Sequence, residues 1–119
     1  METRRAFVAE MYNMLDVVQS VLSAGDVERV RFGMDLAKSS PEMQRRVGVQ
    51  LRTHVKPALE AETFEITEEL VNSVIPAHKK LKVDFAKVDA AMTARAKACL
   101  ERLLAHAEAL EKKGAVNGK

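Results

Sequence analysis

The side chains best equipped for chemistry in this chain are one cysteine, Cys99, and three histidines, His54, His78 and His106. A carboxylate-bridged di-metal centre in a helical chain needs a Glu followed three residues later by a His, on two helices. No Glu here has a His at that spacing, and there is no His-Glu-x-x-His zinc pattern. The histidines and the cysteine are also far apart in sequence, so no metal and no cofactor is expected. Cys99 falls on an apolar helical line and reads as a small buried hydrophobe. A nucleophilic thiol would need an electropositive, partly exposed setting, and Arg95 and Arg102 are nearby in sequence. His54 and His106 border apolar faces and read as boundary residues.

His78 stands apart, in the run Ala77, His78, Lys79, Lys80, Leu81, Lys82. This run distantly resembles the histidine-phosphotransfer domain, a four-helix bundle with an exposed phospho-accepting histidine in an Ala-His-x-Leu-Lys-Gly setting. The likeness covers about six residues. It departs from the family pattern twice: Leu81 and Lys82 come one position late, and Val83 stands where glycine leaves room for a docking partner. The resemblance implies phosphoryl transfer through an exposed His78. The residues themselves read as a solvated basic turn.

Charge is segregated along the chain. Glu60, Glu62, Glu65, Glu68 and Glu69 form an acidic stretch with no basic residue, whereas residues 70–119 carry ten basic and five acidic side chains. Lys79, Lys80, Lys82 and Lys87 make one basic group, and Arg45, Arg46 and Arg52 another. Such faces suit an acidic protein or a nucleic-acid backbone. A nucleic-acid reader also offers stacking aromatics or a recognition helix, and neither is found here. Nucleic-acid binding through these faces is therefore the lesser expectation. It requires both basic groups on one face.

The composition bounds the architecture. At 119 residues the chain is expected to be a single domain, residues 1–113, with a frayed tail at 114–119. Aromatics make up only 4% and there is no Trp, so Ala, Val, Leu and Met must fill the core. The net charge of +2 does not by itself imply a polyanionic partner. A lone cysteine excludes an internal disulfide and favours a reducing, intracellular and cytoplasmic setting. No apolar run reaches the roughly 18 residues of a membrane span. Glu2, Glu10 and Asp16 argue against a targeting segment at the start.

Helical periodicity runs through the whole chain, and the predicted fold is all-α, an antiparallel bundle of four or five helices. The first helix is predicted over 3–24, with Phe7, Met11, Met14, Val18 and Val21 inward, Thr3 as its cap and Gly25 as its stop. A second follows over 26–38, capped by Asp26, with Val27, Val30, Met34 and Ala37 buried. The third starts at Ser40 and Pro41, with Met43, Val47, Leu51, Val55 and Leu59 on one face and a kink expected at Pro57. A fourth is capped by Thr67, with Leu70, Val71, Val74 and Ile75 on its apolar side.

The last predicted helix, 77–113, is the organising element. Leu81, Phe85, Val88, Met92, Ala96, Cys99, Leu103, Ala107 and Leu110 recur at steps of three and four, an eleven-residue rhythm close to straight helical winding. At about 1.5 Å per residue it would be roughly 55 Å long, against roughly 33 Å for the first helix. The uncovered end of its stripe, including Leu103 and Leu110, would call for a second copy or another protein. With no catalytic constellation, the chain is expected to be a non-enzymatic helical interaction or assembly module. Arg45, Arg46, Arg52, His78, Lys79, Lys80, Lys82, Lys87, Leu103 and Leu110 are its candidate surface.

Overall fold

The computed structural model describes the backbone of residues 2–75 and 80–117, and the side chains of residues 4–75 and 80–110. The fold is all-α, and no strand occurs among the described residues. Its helices are α1 (Glu2–Val18), α2 (Ala24–Ala37), α3 (Pro41–Gln50), α4 (Lys56–Glu60), α5 (Glu68–Val74) and α6 (Ala90–Asn117). A π-helical turn, Leu51–Val55, joins α3 to α4, so these two form one continuous helical rod.

The core is built around the pairing of α1 with α6. Glu10 meets Cys99 and Arg102, while Arg4 and Phe7 lie beside Ala107 and Leu110, so the two helices run antiparallel. Phe7, Met11, Met14 and Val18 from α1 are buried with Ala96, Cys99, Leu100 and Leu103 from α6. Leu51, Val55, Leu70, Val71 and Val74 complete this core from the α3–α4 rod and α5. Nearly every apolar position that helical spacing places inward in the first four predicted helices is buried or half-buried.

Local chemistry sets most helix starts. Ser40 Oγ accepts from the Met43 amide at 3.2 Å and Thr67 Oγ1 from the Leu70 amide at 3.0 Å, as the sequence predicts. The first junction differs. Thr3 is already inside α1, which ends at Val18 and tightens into a 3₁₀ turn, Gln19–Val21. Ser23 then caps α2 through the Asp26 amide at 3.1 Å. Ser23 lies three residues before the expected cap, Asp26. Gly25 lies inside α2, and no residue described adopts a positive φ, so it does not close a helix.

Pro57 neither ends its helix nor stands as the break itself. The helix widens just before it: the Lys56 amide donates to the Leu51 carbonyl, five residues back instead of four. Pro57 has no amide to donate, and its ring would crowd the Thr53 carbonyl of a regular helix. A π turn re-registers those carbonyls and lets the rod continue to Glu60.

The largest correction concerns the last helix, which begins at Ala90 rather than Ala77. Residues 80–84 form no helix, with Asp84 extended, and Phe85–Lys87 form a single 3₁₀ turn. Along this strap Leu81 and Val83 are buried while Lys80, Lys82 and Asp84 are exposed, a period of two. Side chains do for the strap what a neighbouring strand would do. Asn72 Oδ1 accepts from the Leu81 amide at 2.7 Å, and Asn72 Nδ2 donates to the Leu81 carbonyl at 3.1 Å. Glu68 Oε2 accepts from the Val83 amide at 3.0 Å, and the Asp84 amide donates to the Val21 carbonyl at 2.9 Å. Phe85, placed inward by the helical reading, is 51% exposed. Asp89 Oδ1 accepts from the Met92 amide at 2.8 Å and starts α6. Pro76, which the sequence places between the fourth and last predicted helices, lies outside the described residues.

The later start shortens the last helix to 28 residues, roughly 42 Å at about 1.5 Å per residue, against 17 residues for α1. Ala96, Cys99, Leu100, Leu103 and Ala107 of α6 are all buried within the single chain. Of the described stripe residues that lie on α6, only Leu110 is left half-exposed.

Candidate partner-binding cleft

A cleft of about 630 Å³ opens where the N-terminal end of α1 and the C-terminal half of α6 meet α3. Its lining from α3 falls at helical spacing: Pro41, Gln44 and Arg45, Gly48 and Val49, then Arg52 in the π turn. From α1 come Arg4 and Phe7, and from α6 come Ala107 and Leu110. Phe7 and Ala107 are buried and make the floor with Gly48, while Val49 on the wall is 45% exposed. Arg4 and Arg45 are exposed at the rim and Arg52 is half-buried. A Cβ built on Gly48 would stand 3.6 Å from Ala107 Cβ and 3.8 Å from Arg52 Nη1. Both distances are ordinary contacts, so a residue as small as alanine would fit at position 48 at the present α3–α6 spacing.

The wall of the cleft is held rigidly. Gln44 is buried, and its Nε2 donates to the Ala37 carbonyl at 2.9 Å and the Lys38 carbonyl at 3.2 Å. It thereby satisfies the end of α2 and fixes the turn into α3. Across the rod, Lys56 Nζ lies 3.5 Å from Glu108 of α6.

A second polar cluster, Glu10–Cys99–Arg102, sits on the α1–α6 seam. Arg102 Nε donates to Glu10 Oε2 at 2.8 Å, and Cys99 Sγ lies 3.3 Å from the Glu10 carbonyl oxygen. Burial alone would push the Glu10 carboxyl up. Hydrogen bonds from Arg102, Asn13 and Cys99 outweigh it and hold the group below its ordinary value. Burial, reinforced by the Glu10 hydrogen bond and charge, pushes the Cys99 thiol up to about 12. Cys99 is a protonated, 1% exposed packing residue, as its position on the apolar line predicts.

The predicted surface residues separate into five groups. Arg45, Arg52 and Leu110 line the cleft. Arg46 is exposed and stands 4.0 Å from Glu42 on the same helix, outside the cleft lining. Leu103 is fully buried, so it belongs to the core and not to any surface. Lys80 and Lys82 project from the strap, and Lys87 lies 4.0 Å from Asp84. His78 and Lys79 lie outside the described residues. From Lys80 to Asp84 no helix forms, so the helix expected to carry the phosphotransfer-like run is absent there. His54 is exposed and His106 half-buried.

Among the described residues, the strap and the cleft are anchored at opposite ends of α1. The strap is bonded to Val21, whereas the cleft is built on Arg4 and Phe7. Fourteen residues of helical rise separate Phe7 from Val21, roughly 20 Å. Among the described residues no group of three metal-ligating side chains exists, and no helix is long and apolar enough to cross a membrane. Arg4, Phe7, Pro41, Gln44, Gly48, Val49 and Ala107 line the cleft but were not among the candidate surface residues. Arg4 and Val49 gain their place only through tertiary packing, and Phe7 carried only a core signal.

Comparison with protein-family models, with curated proteins and with solved structures returns no match.

Proposed function

We propose that this chain is a non-enzymatic helical interaction module, and that the α1–α3–α6 cleft receives a carboxylate-bearing, partly apolar segment of a partner protein. The observation that carries this reading is the lining itself: guanidinium groups of Arg4, Arg45 and Arg52 around an apolar floor and the exposed Val49. Guanidinium forks pair with carboxylates through short, charge-assisted hydrogen bonds, and an apolar floor rewards an adjoining aliphatic anchor. An amphipathic helix laid in such a groove presents anchors one turn apart beside its acidic residues.

Fluorescence anisotropy with a labelled helical peptide of about four turns, carrying Leu one turn apart and flanking Glu, tests this reading. The expected result is saturable binding that weakens with added salt and falls about tenfold in Arg45→Glu and in Val49→Glu, a loss of about 1.4 kcal/mol each. Equal binding of a control peptide with every Glu replaced by Lys, or indifference to both substitutions, would sink the proposal.

A further inference from the structure

The cleft carries a polar atom that the fold leaves unused. Gln44 lines the cleft and is only 5% exposed. The groups it is bonded to, the Ala37 and Lys38 carbonyls, can only accept, so the amide atom turned to them is the nitrogen. Among the described residues no donor is bonded to the other amide atom, Oε1. Every fully buried side-chain nitrogen or oxygen among them has a partner, so Oε1 is not sealed in. It opens to the space that Gln44 lines, an acceptor held in place by the two bonds on its nitrogen. Arg45, the next residue of α3, and Arg4 of α1 are exposed at the rim. Neither is ion-paired with a described carboxylate.

We propose that the carboxylate this cleft receives is the C-terminal end of the partner chain, carried on an apolar last residue. The proposal rests on reading the cleft as a docking site and names which carboxylate it takes. Three demands meet in the lining: an anion for Arg4 and Arg45, an N–H donor for Gln44 Oε1, and an apolar group for the floor of Phe7, Gly48 and Ala107. An extended chain end meets all three from one residue, with its carboxylate, its own amide and its side chain. A Glu inside a helix supplies the carboxylate alone. Its amide is bonded to the carbonyl four residues back and has no hydrogen left for Gln44. Size agrees, since about 630 Å³ lies within the roughly 300–1,000 Å³ of pockets that enclose a small ligand. That is room for the last residues of a segment, with any helix before them lying along the rim.

Fluorescence anisotropy on the full chain, with short peptides labelled at the N-terminus and ending in Leu, reads this directly. The changes are made in the peptide because Gln44 also holds the turn into α3, and replacing it would disturb the fold. The free acid should bind saturably. The C-terminal amide lacks the charge, and an acid whose last peptide bond is replaced by an ester lacks the N–H; each should bind about tenfold more weakly. Arg45→Gln, a change at an exposed position, should weaken the acid and leave the amide nearly unmoved, so the gap between them shrinks. Equal binding of acid and amide, indifference to the ester, or an undiminished gap in Arg45→Gln overturns the inference. The Leu/Glu helix with both ends capped separates the two readings. If it binds and the free-acid peptide does not, the chain-end inference falls while the docking reading stands; if neither binds, both fall.

Discussion

Leu103 has no exposed surface, and its neighbours on α6 are buried around it. Leu103→Ala should cost about 2–5 kcal/mol, from lost transfer energy and the cavity left behind. A change below about 1 kcal/mol in urea unfolding would contradict its central place. The Cys99 thiol, held protonated by burial and by Glu10, should resist iodoacetamide at about pH 8 in the native protein and react after denaturation. Rapid native labelling would show that the α1–α6 seam opens. Glu10 adds a pH dependence whose sign follows from its lowered pKa. Its stabilisation is present above the ordinary carboxylate value and lost as pH falls through the depressed folded value. Glu10→Gln should therefore flatten the acid limb of a stability–pH profile, and an unchanged limb would remove the group from the account. At this scale the sequence was informative about caps and core. Ser40 and Thr67 stand three residues before the amides they bond, and Leu103 sits on an unbroken apolar line.

Among the elements, the strap at 80–84 is where pattern reading failed. Lys80 to Asp84 alternates apolar and polar side chains, but Leu81, Phe85 and Val88 also fit a helical line continuing from α6. Two periods compete over so short a span, and the choice was made by partners distant in sequence: Asn72, Glu68 and the Val21 carbonyl. Asp89 was the local signal available, a cap three residues before Met92. Asn72→Ala should strand the amide and carbonyl of Leu81 and cost about 1–3 kcal/mol, with faster hydrogen exchange at Leu81 and Val83. Exchange unchanged at both amides would mean that packing of Leu81 and Val83 alone holds the strap. Gly48 offers the opposite sign. Its φ is not positive, and an added Cβ would make ordinary contact with Ala107 at 3.6 Å. Gly48→Ala should raise stability by about 0.5–1 kcal/mol through helix propensity, and a lower melting temperature would show that the α3–α6 approach cannot yield.

For the molecule as a whole, the later start of α6 changes what association has to explain. A helix from Ala77 would have left a long bare stripe, whereas the observed α6 is covered by its own chain through Ala107. Among the described residues, the large exposed apolar side chains are Val49 beside the cleft, Phe32 and Leu36 on α2, and Phe85. The cleft was half legible in the sequence. Arg45 and Arg52 share a helix face by spacing, but nothing local announces that Arg4 and Leu110 converge on them. That convergence follows from the antiparallel pairing of α1 with α6, which places the start of one helix beside the end of the other. The central claim is that this convergence makes a binding site for an acidic, apolar-bearing helix. Amide chemical-shift mapping during titration of isotopically labelled protein with the Leu/Glu peptide tests it most directly. The account predicts shifts concentrated at Arg4, Phe7, Arg45, Gly48, Val49, Arg52 and Ala107, with the strap amides at Leu81 and Val83 unmoved; shifts centred on Lys80 and Lys82, or none at saturating peptide, would contradict it.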